Sequence, residues 1–390
     1  MTRREASVGR AGGGRKLHPH PDRVVEAVAE RCSHCRAAIA AAGQTAVQVY
    51  DKIELPPLRP IVTRVILKGC RCRACGGRVV APAPSGLEPG SPFGRSIVAL
   101  AVYLRYTHAI GFERLAALFG HLFGLEISEG ALANLLARAK PLFDGTAKRL
   151  RTRLRRARLV CSNETSARVA GKNQWEWVFQ NDSVSLHVIR PSRGRAAPAE
   201  VLAGHRPKVW VSDLYGAQRD HAEAWQICLA HQLRDCQFAS DDGDTIFAPA
   251  VKQVLLDAIA IGRRRAALKE STRRAYRADI ERQMDRAMAR QPITKEGIRL
   301  RRRYGQFRDH LFTFLTDPSV PATNNGSEQD LRPSVIYRKV TNGFRADWRA
   351  DLFAGVRSVI NTGRRHALDP FQAIQRVLAG QSLFVSQTAG

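Results

Sequence analysis

No apolar run in this chain approaches the roughly 20 residues that a membrane-crossing helix needs. The N-terminus likewise lacks the apolar core of a secretory leader, so the chain reads as cytoplasmic and not membrane-bound. Acids are scarce: 35 Asp and Glu stand against 62 Lys and Arg, leaving a net charge of +27. A surplus of that size points to a polyanionic partner, with nucleic acid ahead of an anionic membrane surface. No internal repeat is visible. What the chain does have is length and apolar material. Its 390 residues, 44% apolar, suffice for two or three domains with real cores.

The eight cysteines include two C-x-x-C pairs, Cys32 with Cys35 and Cys72 with Cys75. In a reducing compartment such pairs suggest metal over disulfide. Between them "VQVYDKIELPPLRPIVTRVIL" carries β-branched residues on both sides of Pro56-Pro57 and reads as two strands and a turn. A hairpin joining two thiolate pairs would make a closed, structural Zn²⁺ site of Cys32, Cys35, Cys72 and Cys75. Gly76-Gly77 eases the backbone around the second pair, and Cys70 is a competitor for Cys72.

Residues 1–24, rich in Arg and Gly, read as a basic flexible arm, and 25–80 as the zinc-binding domain. After a Pro/Gly linker, 81–156 read as a helical region. Ser91 and Pro92 fit an N-cap and first helical position, Gly124 a turn, and Ser128 the N-cap of a third helix. The spacing suits a helix-turn-helix or a plain three-helix bundle. Residues 157–244 change character. Short β-like runs at "RLVCS", "WEWVFQ", "SVSLHVI", "KVWVSD" and "ICLA", with helices after Arg195 and near His231, describe a mixed α/β sheet. Residues 245–318 read as a basic helical insertion, either a solvated charged face or a surface that tracks phosphates. In 319–345 Asn324 or Asn325 fits a helix N-cap, Pro333 should end or kink that helix, and "VIYRKVTNGFR" reads as extended. The remaining 346–390 read as C-terminal helices, one from about Asp351 and one opened by Asp369-Pro370. The fold class is thus multidomain α+β.

Two carboxylates stand out. Asp213 ends a clean strand, where its side chain would emerge at the sheet's C-terminal edge, as a metal ligand or a helix cap. Glu328 sits in the first turn of the "NNGSEQDLRP" helix, where it is either functional or merely complements the helix N-terminus. Cys228 and His231 have metal-like spacing but follow a strand and begin a helix, so packing and phosphate or acid-site support for His231 are the preferred reading over a second zinc.

The ordered blocks "LEPGSPFGRSIVALAVYLRYTHAIGFERL", "SNETSARV", "WEWVF", "HVIRPSRG", "VWVSDLYGAQ", "CLAHQLRD" and "TNNGSEQDLRPSVIYRKVTNGFR", with the cysteine pairs, resemble the bacterial insertion-sequence-66 family of transposases. The resemblance runs from about Lys16 to Gly380. It implies an RNase H-like core and three acids that hold two Mg²⁺ or Mn²⁺ ions for in-line phosphoryl transfer. The second acid matches Asp213, the third matches Glu328, and the first matches position 163, where this chain has asparagine. Asn163 keeps a carbonyl ligand but lacks the charge, so catalysis is expected to be impaired. Glu164 should point to the opposite face of its strand and so not replace it. The family usually has arginine after the glutamate, and here Gln329 stands there. Many relatives also carry a longer N-terminal region.

The implied partners are double-stranded DNA, both the element's ends and its target, a second copy of the chain on DNA, and helper proteins of the same element. Phosphate contacts are expected from Arg263, Arg264, Arg265, Arg301, Arg302, Arg303, Arg332, Arg338 and Lys339. A non-catalytic DNA-binding protein derived from a transposase is the alternative, and a zinc-stabilised RNA-binding protein a third.

Overall fold

A computed structural model describes residues 16–384. Residues 1–15, most of the expected basic arm, lie outside it. The chain divides into two compact units, Met1–Pro60 and Ile61–Gly390.

In the first unit the Gln44 side chain ties Ala29 to Ala40, and a knuckle forms at Cys32 to Ala37. The N–H of Arg36 donates to the Cys32 carbonyl, and the N–H of Cys32 to the Ala37 carbonyl. In the second unit Gly76 and Cys72 repeat this pattern with Cys72 and Gly77 as acceptors. Both turns place the residue after the second cysteine in the left-handed region, Arg36 at φ 61° and Gly76 at φ 70°. The expected strands between the cysteine pairs do not form. Residues 46–67 carry no strand, and Val47, Ile61 and Val62 are more than nine-tenths exposed. Alternating apolar residues make a strand only against a surface that buries one face, and Pro56 and Pro57 add two missing donors. The strands that exist, β1 (Gly69–Arg71) and β2 (Arg78–Val80), flank the second knuckle as a short hairpin.

The rest of the second unit is α+β with a mixed sheet. Helices α1 (Arg95–Thr107), α2 (Phe112–Phe123) and α3 (Glu129–Leu154) come first. Helix α1 starts later than its sequence suggested: Ser91 Oγ accepts from the Phe93 N–H in a local turn, and Gly94 is the N-cap. Gly124 closes α2 in the left-handed region, and Ser128 caps α3 by accepting from the Ala131 N–H. Helix α3 carries the first half of the basic run and ends within it at Leu154.

The sheet follows: β3 (Leu159–Val169), β4 (Lys172–Gln180), β5 (Ser185–Arg190), helix α4 (Ala196–Leu202), β6 (Val209–Ser212) and β7 (Ala224–Ile227). Strand β7 ends where "ICLA" begins, because Leu229 already opens α5 (Leu229–Asp241). Spatial order is β5-β4-β3-β6-β7, antiparallel among the first three and parallel from β3 through β6 to β7. Then α6 (Phe247–Arg264), α7 (Glu270–Met288), α8 (Lys295–Phe307) and α9 (Thr313–Thr316) form the basic helical segment. It ends against β7, where Gln226 Oε1 accepts from the Phe314 N–H and the Gln226 amide donates to the Leu311 carbonyl.

Helix α10 (Asn325–Thr341) departs from two expectations, because it does not end at Pro333 and it keeps "VIYRKVT" helical. Leu331, Ser334 and Tyr337 are buried at spacings of three along it, so tertiary packing outweighs the lost N–H and the β-branched residues. Helix α11 (Asp347–Arg365) and α12 (Pro370–Leu378) follow, the latter opened by a capping box between Asp369 and Gln372. Helix α11 covers the open edge of β5. The Thr362 and Ser358 hydroxyls accept from the N–H groups of Ser185 and His187 at 3.0 and 2.8 Å, satisfying donors that a sixth strand would otherwise take.

Between α10 and α11 the chain returns to β3. Phe344 donates to the Arg168 carbonyl and accepts from the Ala170 N–H, which forces Gly343 to φ 101° against Arg168. Gly343→Ala combines a disfavoured backbone with a Cβ driven into the Arg168 carbonyl. It is expected to lower unfolding free energy by about 1–3 kcal/mol, measurable in urea.

Candidate active site at the end of the central strands

Alternation along β3 sorts its side chains. Val160 packs in the core with Trp177 and Trp210, whereas Cys161 packs with Val209 and Val211 on the other face. Asn163 and Thr165 share the face of Cys161, and the Arg338 guanidinium from α10 reaches Thr165 Oγ1 at 3.5 Å from that side. The parallel register pairs Cys161 with Val211, and β6 ends one residue later at Ser212, so Asp213 leaves that strand near the level of Asn163. Asp213 lies just past β6 and turns the chain there, accepting from the Tyr215 N–H at 3.0 Å through Oδ1.

Glu328 arrives on α10, whose N-terminus is fixed by one buried side chain. Asn324 donates from Nδ2 to the Ser162 carbonyl at 2.7 Å, next to Asn163. It accepts from Ser327 Oγ at 2.7 Å, and its N–H donates to Cys228 Sγ at 3.0 Å. Gln180 on β4 adds a bond to Ser327 Oγ, so the first turn of α10 is tied to β3, β4 and the start of α5. Helix α5 supplies the groups around the carboxylate, His231 Nδ1 at 3.7 Å and Arg234 Nη2 at 3.4 Å from Glu328 Oε1. Asn163, Asp213 and Glu328 thus converge on one end of the sheet, Asn163 and Asp213 by register and Glu328 through the Asn324 anchor.

Glu164 faces the opposite way and is spoken for. Its side chain is 1% exposed, with Oε1 accepting from Arg193 at 2.7 Å and Oε2 from Gln218 at 2.6 Å. Gln218 in turn accepts from the Trp210 indole, and the Arg193 guanidinium lies between Trp175 and Tyr215, 4.7 and 3.8 Å from their ring centres. Neither Arg193 nor Gln218 was singled out by the sequence, although each stands in a block that carries the resemblance. Burial, and then the Asp213 charge, hold the Glu164 carboxyl above its ordinary value of 4.5, against the bonds from Arg193 and Gln218. A carboxyl raised on folding binds protons more tightly in the folded state, so its contribution is largest below the ordinary value and falls as pH rises through the folded one. Relative to Glu164→Gln, the chain is therefore expected to lose thermal stability as pH climbs above 4.5. Melting both proteins across that window checks this, and a constant difference would count against it.

The nine expected phosphate-binding cations split in two. Arg263, Arg264, Arg302, Arg332 and Lys339 are exposed with no acid partner among the described residues. Arg265 binds the Pro318 carbonyl, Arg301 the Met288 carbonyl and Gln291, Arg303 the Asp235 carboxylate, and Arg338 Ser166. In the cysteine pairs, backbone N–H groups aimed at the sulfur lower Cys32 (from Cys35, then His34) and Cys72 (from Cys75, then Ala74). Both are thereby shifted toward the thiolate that a metal needs.

A family model described as the transposase IS66 family matches residues 90–352, about two thirds of the chain. The chain belongs to that family. Membership supports a transposase function, and the match takes in Asn163, Asp213 and Glu328 with every element that positions them. No curated relative matches the chain. No helix among the described residues is long and apolar enough to cross a membrane.

Proposed function

We propose that this IS66-family chain binds the DNA ends of an insertion sequence through a catalytic core of the metal-dependent strand-transfer type, and that Asn163 has weakened its chemistry. The observation that carries the reading is the convergence of Asn163, Asp213 and Glu328 on one sheet end. The strand order, antiparallel on one side of β3 and parallel on the other, supports an RNase H-like core.

The donors present are oxygen-rich: Asp213 and Glu328 carboxylates and the Asn163 carbonyl, a set that fits Mg²⁺ or Mn²⁺. Divalent ions held there would activate the attacking oxygen and stabilise the leaving one. The chain's own contribution is placement. Asn324 fixes the helix that bears Glu328, the Asp213 turn fixes its carboxylate, and the Arg193 stack keeps Glu164 out of the site. Exposed Arg263, Arg264, Arg302, Arg332 and Lys339 supply phosphate contacts. Each knuckle by itself supports metal binding by its own pair, Cys32 with Cys35 and Cys72 with Cys75, in a structural role suited to Zn²⁺.

The test is strand cleavage and joining on the element's own ends with Mg²⁺ or Mn²⁺, for this chain and Asn163→Asp. Cleavage by the aspartate variant that is abolished by Asp213→Ala or Glu328→Gln is the expected result. Salt-sensitive DNA binding with no cleavage in either protein would leave the second reading, a DNA-binding derivative without chemistry.

A further inference from the structure

One cluster at this end of the sheet has donors of a different kind. Cys228, His231 and Glu328 bring a sulfur, an imidazole nitrogen and a carboxylate oxygen within 4.8 Å of one another. Magnesium has little use for sulfur or imidazole, whereas a borderline transition metal takes all three. We propose that Cys228, His231 and Glu328 form a transition-metal site suited to Zn²⁺, and that its occupation withdraws Glu328 from the Mg²⁺ site. The second half rests on the reading of Glu328 as the third acid; the first half does not.

One edge of the cluster already has the span of a tetrahedral ion's ligands. Bonds of about 2.0–2.3 Å put neighbouring ligand atoms roughly 3.3–3.7 Å apart, and His231 Nδ1 already stands 3.7 Å from Glu328 Oε1. That nitrogen is buried and makes no well-formed hydrogen bond, and the Cys228 sulfur stands close enough to act on the imidazole, as a fellow ligand would. Cys228 is the buried N-cap of α5, one residue before the helix begins. The Asn324 N–H donates to its sulfur, a bond that a metal-bound thiolate can keep. Cys228 and His231, three apart at the helix start, face the same way. The remaining contact is Arg234, 3.4 Å from Glu328, whose 62% exposed guanidinium is free to turn to solvent when a cation enters. Three protein ligands leave one tetrahedral position open.

The sequence alone favours packing and phosphate or acid-site support for His231, because the segment follows a strand and begins a helix. Glu328 lies 97 positions further along the chain and reaches the cluster only through the folding of α10 onto α5. Without an ion, the same residues would be a small polar lock between these helices.

Cobalt(II) separates the two roles, since thiolate ligation gives it a charge-transfer absorption that oxygen ligands do not. The metal-stripped full chain, Cys228→Ser and His231→Ala are titrated with Co²⁺ alone. The chain should take up about one more ion than either variant, with a thiolate band in the difference spectrum against Cys228→Ser. Glu328→Gln should weaken that ion at least about tenfold. The difference removes any signal from the other cysteines, and Cys228→Ser and partly exposed His231 keep the fold testable. Equal stoichiometry and superimposable spectra would overturn the site. In cleavage by Asn163→Asp at fixed Mg²⁺, added Zn²⁺ should inhibit, and Cys228→Ser should relieve the inhibition. Zn²⁺ bound without inhibition would overturn the competition, whereas cleavage indifferent to Glu328→Gln would remove the reading of Glu328 itself.

Discussion

Asn163→Asp is expected to raise metal-dependent strand cleavage by on the order of 10²–10³-fold, the scale of one group that stabilises transition-state charge. The effect is geometric before it is electrostatic. Asn163 Oδ1 accepts from the neighbouring Glu164 N–H at 2.9 Å, so the side chain is already oriented. An aspartate can keep that acceptor and offer its second, charged oxygen at the level of Asp213. The new carboxylate repels Asp213 until a cation lies between them. The variant should therefore melt lower than the parent in chelator and gain more from Mn²⁺, because an ion that binds only the folded state stabilises it by mass action. Three results bear on the idea: the rate, the metal-induced rise in melting temperature, and the loss of both on adding Asp213→Ala. Equal cleavage by parent and variant would sink it and turn attention to Glu164. That carboxylate would first have to leave Arg193 and Gln218 and cross to the other face of β3, a rearrangement that Arg193→Ala should then promote.

The parts of this site that local chemistry dictates were legible from sequence. Ser128 and Asp369 cap their helices as their positions suggest, and Asp213 leaves the end of a strand marked by "VWVS". The opposed faces of Asn163 and Glu164 follow from the two-residue period of a strand. What escaped was set by distant partners. Asn324 reads as a plain N-cap, yet its decisive bonds go to Ser162 and Cys228, 162 and 96 positions away. Pro333 and the β-branched residues after it signal the end of a helix, and burial of Leu331, Ser334 and Tyr337 overrules them. The apolar alternation between the cysteine pairs errs in the other direction, because a pattern without a packing surface does not become a strand.

Glu176→Ala is expected to destabilise the second unit by about 3–5 kcal/mol, the loss that follows when one member of a buried charged network is removed. Glu176 on β4 accepts from Ser334 Oγ of α10 at 2.8 Å and pairs with His187 Nδ1 of β5 at the same distance. When that nitrogen carries the proton, Nε2 accepts from Asn361 of α11, and Asn361 Oδ1 accepts from Arg357. Arg357 is the centre of the difficulty. It is 1% exposed, and burial pushes its guanidinium down to about 10, with Glu176 the main opposing influence, so it stays charged at neutral pH. Alanine at 176 leaves that cation in the interior with only the lesser influence of Asp330, already paired with Arg365, and frees the Ser334 and His187 donors. Because the network joins α10 to β4, β5 and α11, the damage extends to the helix that carries Glu328. Arg357→Met alone should cost less than Glu176→Ala, and Glu176→Leu with Arg357→Met less than the sum of the two separate changes. Urea unfolding of the single and double variants measures this coupling, and strictly additive losses would show that Glu176 and Arg357 do not depend on one another.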